Sequence, residues 1–216
     1  MSEAADQTKS TLVPRHFANL PADRRDAIIA VASAEFVAHG FERASMNRII
    51  VNANVSKGSM YHFFESKADL FALAVGTVIE RVETHVGPLP AGCADVSEFR
   101  DAFKGWYRAL LAHLAEHRDD DALLEILRAA MATPNPPEPV QRCAMRIAAW
   151  YAVLFDELAS LGALRSDIPP NILAGAVERA TLAIDRWFID EIRLQPGQLD
   201  QMADIGADIF MRLITP

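Results

Sequence analysis

A seven-residue stretch, SKGSMYH at positions 56–62, combines side chains that could contact a polyanion. Lys57 offers a cation and Tyr61 a phenolic hydroxyl, and both groups donate hydrogen bonds to phosphate oxygens. Gly58 has no side chain, so the backbone there can approach another molecule closely. The chemistry predicted for this stretch is contact with a nucleic acid.

Two further polar side chains of the stretch are suited to the floor of a groove. Ser59 and His62 can exchange hydrogen bonds with base edges, although His62 could equally reach a phosphate. The alternative interpretation is that Tyr61 packs beneath the helix and Ser59 only faces water. Met60 and the two phenylalanines that follow His62 already supply an inward face, which favours the first interpretation.

Two short helices joined by a tight turn must hold this stretch in place. Ser45 is a suitable N-cap for a helix from Met46, because its hydroxyl can accept a hydrogen bond from an unpaired amide of the first turn. Asn54 stands at the turn, where a left-handed residue is needed and Asn adopts that conformation at low cost. Ser56 then caps the second helix.

This region resembles the helix-turn-helix signature of the tetracycline-repressor (TetR) family. The resemblance covers roughly the first third of the chain, including Phe36 and Gly40-Phe41 upstream. The rest agrees with the family in length and helical character. Asn54 stands where the family usually has Gly, and Ile50 where it usually has Ala. The matching residues are Ser45, Ile49, Ala53, Val55, Ser56, Gly58, Tyr61, Phe64, Lys67 and Leu70.

The resemblance implies double-stranded operator DNA as the partner and a homodimer as the assembly. Together with the residue chemistry, it predicts that cations at the edges of the helix pair hold phosphates. Lys67 joins this group because it lies in the first turn of its own helix, where backbone amides also favour an anion. The predicted DNA-binding residues are Arg43, Ser45, Arg48, Ser56, Lys57, Gly58, Ser59, Tyr61, His62 and Lys67.

The net charge is compatible with such a partner once its distribution is considered. The 216 residues carry a formal charge of −8. The chain through Lys67 has eight Lys/Arg against seven Asp/Glu, whereas the remainder has thirteen against twenty-two. A near-neutral amino-terminal part can present a basic face, and the acidic remainder opposes non-specific binding to DNA.

Composition indicates a packed helical protein without a membrane span. Apolar residues make up 51% of the chain, yet the longest charge-free run, at 84–94, has only eleven residues. A spanning helix needs roughly 20. The first ten residues lack an apolar signal core, so the protein is expected in the cytoplasm. Cys93 and Cys143 lack metal-binding or redox spacing and are expected to be reduced thiols.

Helical periodicity continues to the end of the chain without a competing strand pattern, which predicts an all-α fold. A capping box of Ser66 and Asp69 begins a long helix that could connect two domains. The predicted organisation is a disordered arm at 1–20, a three-helix helix-turn-helix DNA-binding domain at 21–66, a connecting helix and loop at 67–95, and a larger helical effector-binding and dimerisation domain at 96–216.

The last two predicted helices, at 170–193 and 198–214, carry more apolar surface than one domain core usually needs. In the first, charged residues recur every seven positions and leave a wide apolar arc. In the second, a glycine within the apolar face allows close helix approach. The pair predicts half of a four-helix dimer interface, as TetR-like proteins use. Its residues are Ile172, Ala176, Ala180, Ile184, Trp187, Phe188, Met202, Ile205, Gly206, Ile209, Phe210 and Leu213.

Aromatic, apolar and a few polar residues of the carboxyl-terminal part could line a small-molecule site. His113 and His117 have the i, i+4 spacing of helical metal ligands, but the sequence places no third ligand. No metal and no cofactor is therefore predicted. The candidate ligand-binding residues are Phe103, Trp106, Tyr107, Leu110, Arg128, Met131, Met145, Arg146, Trp150, Phe155 and Thr181.

Two functions from different classes fit these observations. The first is a repressor that a small-molecule effector releases from a palindromic operator. The alternative is a ligand-independent DNA-binding activator or architectural protein that acts through a protein partner. An enzyme is not expected, because the chain has no Walker A loop, GxSxG, HExxH or Rossmann glycine run.

Overall fold

The computed structural model describes residues 14–216, and within this range the fold is all-α, as predicted. None of the helices between those limits combines the length and apolarity that crossing a membrane requires. The helices are α1 Arg15–Ala18, α2 Ala22–Arg43, α3 Met46–Asn52, α4 Lys57–Phe63, α5 Lys67–Val86, α6 Val96–Glu116, α7 Arg118–Met131, α8 Glu138–Ser160, α9 Pro170–Leu194 and α10 Leu199–Ile214, with a 3₁₀ turn at Pro196–Gln198 before α10.

The chain forms two compact units whose limits differ from the predicted domains. The first contains the residues up to Glu80 together with Asp119–Arg146. The second contains Arg81–Arg118 and Ile147–Pro216. Residues 119–146, expected in the carboxyl-terminal domain, thus belong to the first unit. Two of the three limits fall inside α5 and α8, where an uninterrupted helical pattern gives no sequence signal of a boundary, and the third follows Arg118 at the start of α7.

The predicted disordered arm at 1–20 can be compared with the structure only from residue 14 onwards, because residues 1–13 lie outside the described range. Residues 14–20 are ordered, contrary to the expectation. Phe17 of α1 is buried, with ring centroids 5.8 Å from Phe63 and 5.0 Å from Phe64. Arg25 donates to the carbonyls of Ala18 and Leu20 at 2.8 and 2.9 Å. One buried aromatic ring and one guanidinium therefore fix a segment that lacks helical periodicity.

Aromatic rings form the centre of the first unit. Phe36 and Phe41 of α2 lie 4.9 and 5.1 Å from Phe71 of α5 between ring centroids. Gly40 separates the two α2 rings and has φ 70° and ψ 169°, a conformation that interrupts the helix. This break turns the last residues of α2 so that Phe41 packs against Phe71.

In the second unit α10 packs against α6 and α9. The buried face of α10 includes Met202, Gly206 and Phe210, and the Phe210 ring lies 4.3 Å from Phe103 of α6 between centroids. Three ion pairs along the exposed edge of the two helices fix their antiparallel register. These pairs are Arg100 with Asp208, Lys104 with Asp204, and Arg108 with Asp200.

This packing corrects part of the predicted dimer interface. Met202, Gly206 and Phe210, together with Phe188 of α9, are buried within the chain itself. The apolar face of α10 serves the core beside α6, because that helix also presents a continuous aromatic face. The sequence pattern was right about a buried face, but it could not say which helix covers it. The remaining interface residues are at least partly exposed.

Gly206 provides a direct test of this intrachain packing. A Cβ there would come within 2.9 Å of Tyr107 Cζ and closer still to Cε1. We expect Gly206→Ala to lower the free energy of unfolding by about 1–3 kcal/mol, because the buried ring must move. Gly105→Ala is the matched control, since a Cβ at Gly105 meets nothing within 4 Å. It should stabilise the protein by about 0.5–1 kcal/mol. Urea unfolding measures both, and a harmless Gly206→Ala would contradict the packing.

Candidate nucleic-acid interface

The local signals for a helix pair are confirmed. Ser45 Oγ accepts a hydrogen bond from the Arg48 amide at 3.4 Å and caps α3. Ser56 Oγ accepts from the Ser59 amide at 3.0 Å and caps α4. Asn54 lies between the helices with φ 50° and is the only non-glycine residue with positive φ in the described chain. These three side chains set the turn between α3 and α4.

Four residues of α4 face outwards: Lys57, Gly58, Tyr61 and His62 are all exposed. Tyr61 retains 46% of its accessible surface, so it does not pack beneath the helix. The Lys57 ammonium lies 6.0 Å from its ring centroid. Met60 is fully buried on the opposite side. The exposed face thus joins a cation, a phenol and an imidazole around a bare stretch of backbone.

Gly58 has no structural reason to be glycine within the chain. Its φ is not positive, and an added Cβ would meet only Ser56 Oγ, at 4.0 Å. Alanine is also favoured over glycine in a helix by roughly 0.5–1 kcal/mol. The bare backbone is therefore explained best by a molecule outside the chain that approaches α4 closely.

The two serine hydroxyls of α4 contact each other. Ser56 Oγ and Ser59 Oγ are 2.8 Å apart, and either can donate. Ser59 is half-buried. The serine pair sits beside Gly58 at the first turn of the helix, so a base edge or phosphate approaching there would meet hydroxyls and amides together.

Arg48 has a structural partner that the sequence did not reveal. Its Nε donates to both Glu35 carboxylate oxygens at 2.9 and 3.1 Å, and its Nη2 donates to Oε1 at 2.5 Å. Nη2 also donates to the Arg43 carbonyl at 3.0 Å. The Ser45 amide donates to the same carboxylate at 2.8 Å. Arg48 therefore ties α3 to α2, and its predicted contact with DNA stays a prediction.

The carboxylate at this junction makes the helix pair sensitive to acid. The Arg48 guanidinium and the Ser45 amide hold the pKa of Glu35 below its ordinary value of 4.5, against the opposing effect of burial. His39, 3.7 Å away, also faces it. Because the folded pKa is depressed, the stabilisation is present above the ordinary pKa and is lost as the pH falls through the folded value.

We expect Glu35→Gln to lower the melting temperature at pH 7 by about 2–6 °C, since charge-assisted hydrogen bonds are replaced by weaker ones. The difference from the unmodified protein should shrink once the pH lies below the depressed pKa of Glu35, where both side chains are neutral. Glu42→Gln is the control, because Glu42 is exposed on the same helix. Thermal unfolding at the two pH values measures the effect, and a difference independent of pH would contradict it.

Lys67 also has structural partners that the sequence did not reveal. Its ammonium donates to the carbonyls of Glu42 and Ala44 at 2.8 and 3.3 Å and lies 4.9 Å above the Phe41 ring. These contacts join the start of α5 to the end of α2, where the helix dipole favours a cation. The phosphate contact of Lys67 stays a prediction. The capping box of Ser66 and Asp69 is confirmed by their reciprocal hydrogen bonds.

A contact between α1 and α4 went unpredicted. The His16 and His62 rings lie 4.2 Å apart between centroids. Phe17, next to His16, packs against the end of α4. The sequence offered one signal that could have found this support, a lone phenylalanine in an otherwise polar segment. The segment α1 therefore steadies the exposed helix from its carboxyl-terminal side.

The candidate ligand-binding residues do not form one set. Four belong to the first unit, where Arg128 pairs with Glu125 and Arg146 with Glu80. Of the seven in the second unit, Phe103, Tyr107 and Leu110 are core residues. Trp106 and Trp150 instead line a cavity of about 260 Å³. The first-unit residues are Arg128, Met131, Met145 and Arg146, and the remaining second-unit residues are Phe155 and Thr181.

Tyr107 and a group of three histidines also belong to the second unit. Tyr107 donates to Asp185 of α9, and burial raises the pKa of its hydroxyl far above the ordinary value. His85 lies beside the predicted pair, 5.0 Å from His113 and 6.4 Å from His117 between centroids. No three His, Cys, Asp or Glu side chains between residues 14 and 216 are arranged to hold a metal ion.

A capped helix pair, a left-handed turn and an exposed second helix carrying cationic, phenolic and imidazole groups define a helix-turn-helix DNA-binding unit. Residues 28–74, which span it, match the family model of the bacterial regulatory proteins of the tetR family. The match is confined to these residues, so it shows that the helix-turn-helix unit is similar to that of this family of transcriptional regulators.

Comparison with individual proteins agrees with this assignment. A 61-residue segment of this chain is 31% identical to part of the uncharacterized HTH-type transcriptional regulator YhgD of Bacillus subtilis. The matched segment makes up 28% of this chain and 32% of that protein. A putative tetR family regulator from Shewanella sp. PV-4 superposes over 89% of this chain and 98% of its own with a TM-score of 0.69 at 19% identity. SmeT, the repressor of the Stenotrophomonas maltophilia multidrug efflux pump SmeDEF, superposes over 88% of this chain and 90% of its own with a TM-score of 0.62 at 18% identity. These structures share the fold.

Proposed function

We propose that the protein is a homodimeric repressor that inserts α4 of each protomer into the major groove of a palindromic operator and is released by a small molecule. The observation that carries the proposal is the outward face of α4, where Gly58 lies bare between Lys57, Ser59 and Tyr61 although the chain itself does not require glycine. Lys57 and Tyr61 bind phosphates, and Arg43, exposed at the end of α2, adds a third backbone contact.

The proposed dimer forms through the apolar surface that intrachain packing leaves exposed. Ile172 and Trp187 of α9 retain 59% and 58% of their accessible surface, and Ile205 of α10 retains 38%. On α9, residues 172, 176, 183, 187 and 194 lie within an arc of about 60° at 3.6 residues per turn. All five are apolar and exposed. A stripe of this kind is typical of a helix that packs against a second copy.

Release is proposed to act through α5. This helix begins beside the helix pair at Lys67, and its last turn supplies Val82, Glu83 and Val86 to the cavity. A ligand that binds better when this turn is displaced would move both reading helices. Dimeric DNA-binding proteins need half-sites about 34 Å or a multiple apart, so a small shift of the two α4 helices weakens operator binding. Operator DNA must then weaken ligand binding by the same factor.

A repressor is favoured over an activator because SmeT, which shares this fold, is a repressor. The cavity likewise favours a ligand-responsive regulator over a ligand-independent one. As a DNA-binding regulator the protein acts in the cytoplasm. Transcription in vitro tests the proposal: promoter fragments captured by the protein from genomic DNA serve as templates with and without it. A repressor reduces transcript yield, whereas increased yield would establish the activator.

A further inference from the structure

The cavity of about 260 Å³ lies at the carboxyl-terminal end of α5. Its wall is mostly aliphatic and aromatic, and a volume of this size accommodates a ligand somewhat larger than benzene, which occupies cavities of about 150 Å³. All of its lining residues belong to the second unit. They are Val82, Glu83, Val86, Gly87, Pro88, Leu89, Trp106 and Trp150.

Two indole rings form one corner of this wall. Trp106 and Trp150 meet edge to face, with centroids 5.9 Å apart and an interplanar angle of 82°. Perpendicular rings present one indole face and one indole edge to the same space. The face of tryptophan attracts a cation more strongly than the faces of the other aromatic side chains.

The charge in the wall has the sign that complements a cation. Glu83 is the one charged residue among the lining residues described. Its Oε1 accepts the Trp150 indole N–H at 3.3 Å, which orients the carboxylate beside the rings. A carboxylate has about four acceptor positions, so it can accept this bond and also face a ligand. An anionic ligand would be repelled here.

The end of α5 adds a second source of negative potential. The helix closes with the Gly87 amide donating to the Glu83 carbonyl at 3.1 Å, and Gly87 and Pro88 then line the cavity. The last carbonyls of a helix carry a partial negative charge of about half an electron, which favours cations nearby. Aromatic faces, a carboxylate and a helix end thus favour the same class of ligand.

We propose that this cavity binds a small organic cation, an alkylated ammonium group joined to an apolar or aromatic substituent. The ammonium lies against the Trp106 and Trp150 rings with Glu83 as its counter-ion, and the apolar substituent contacts Val82 and Leu89. The inference rests on the proposed function in one respect: such a cation is the class of effector that would act on α5.

Calorimetric titration of the full chain tests the site with three soluble probes of similar shape. Benzyltrimethylammonium should bind at least ten-fold more tightly than benzyl alcohol, and phenylmethanesulfonate should show no binding. Glu83→Gln keeps an acceptor for Trp150 but removes the charge, and it should weaken binding of the cation about ten-fold. Glu116→Gln, which removes an exposed carboxylate of the same unit, should leave affinity unchanged.

The aromatic contribution has its own test. Trp106→Leu should weaken binding of the cation at least five-fold, while Trp106→Phe, which retains a ring, should lose less. Equal affinities for the cation and the sulfonate, or a cation affinity unchanged in Glu83→Gln, would overturn the assignment.

An operator-binding assay with the same probe separates this inference from the proposed function. Tight cation binding without operator release would support the site and contradict ligand-controlled release through it. Release of the operator by an uncharged effector, in a protein that does not bind benzyltrimethylammonium, would support the repressor and overturn the cation site.

Discussion

Replacing Trp187 by glutamate should convert the protein from a dimer to a monomer at micromolar concentration and weaken operator binding at least 100-fold. Trp187 is 58% exposed within the apolar stripe on α9, so the change places a charge where the second copy would pack. One helix-turn-helix unit alone gives few specific contacts. A complete DNA-binding protein typically binds its specific site 10³-fold or more tightly than random DNA.

Sedimentation velocity measures the dimer, and titration of labelled DNA measures affinity. Trp187→Leu is the matched control, because it keeps an apolar side chain and should retain the dimer. Circular dichroism should show unchanged helix content in both variants, since the residue lies outside the core. A Trp187→Glu protein that remains dimeric would show that α9 does not form the interface.

Gly58→Ala should have opposite effects on stability and on DNA binding. The free energy of unfolding should stay level or rise by up to about 1 kcal/mol, because the position is helical and an added Cβ would have space. Operator affinity should fall at least about 30-fold, since a methyl group at the closest approach to the bases interferes in both half-sites at about 1 kcal/mol or more each.

Gly105→Ala again provides the control, because it adds the same methyl group to an open helical position away from α4. It should leave operator affinity unchanged. Salt titrations should give the same slope for Gly58→Ala and the unmodified protein, because no phosphate contact is lost. Undiminished operator binding by Gly58→Ala would mean that α4 does not approach the bases.

The sequence was sufficient where a signal is local. Ser45, Asn54 and Ser56 act within one helical turn or one loop, so their residue types alone predicted the caps and the left-handed turn. Helix ends were placed to within a few residues. Asp95 caps α6, and Asp119 and Asp120 lie in the first turn of α7. Carboxylates near a helix start act as caps or dipole partners as readily as breaks.

The sequence did not predict contacts between residues that are far apart along the chain. Arg48 and Lys67 were grouped with the DNA contacts because a cation near a reading helix suits a phosphate. Their partners, Glu35 and the carbonyls at the end of α2, are 13 and more than 20 positions away. The same reason explains Gly206, whose bare face receives Tyr107 of α6 rather than a second protomer. Periodicity identifies a face but not its neighbour.

Selection from a library of random DNA duplexes is the most direct test of DNA reading by α4. The unmodified protein should enrich one sequence family with two inverted half-sites, their centres about one helical turn, roughly 34 Å, or a multiple apart. Gly58→Ala, run in parallel, should enrich this family weakly or not at all. Failure of the unmodified protein to enrich any sequence above random DNA, or enrichment equal in Gly58→Ala, would contradict DNA reading by α4.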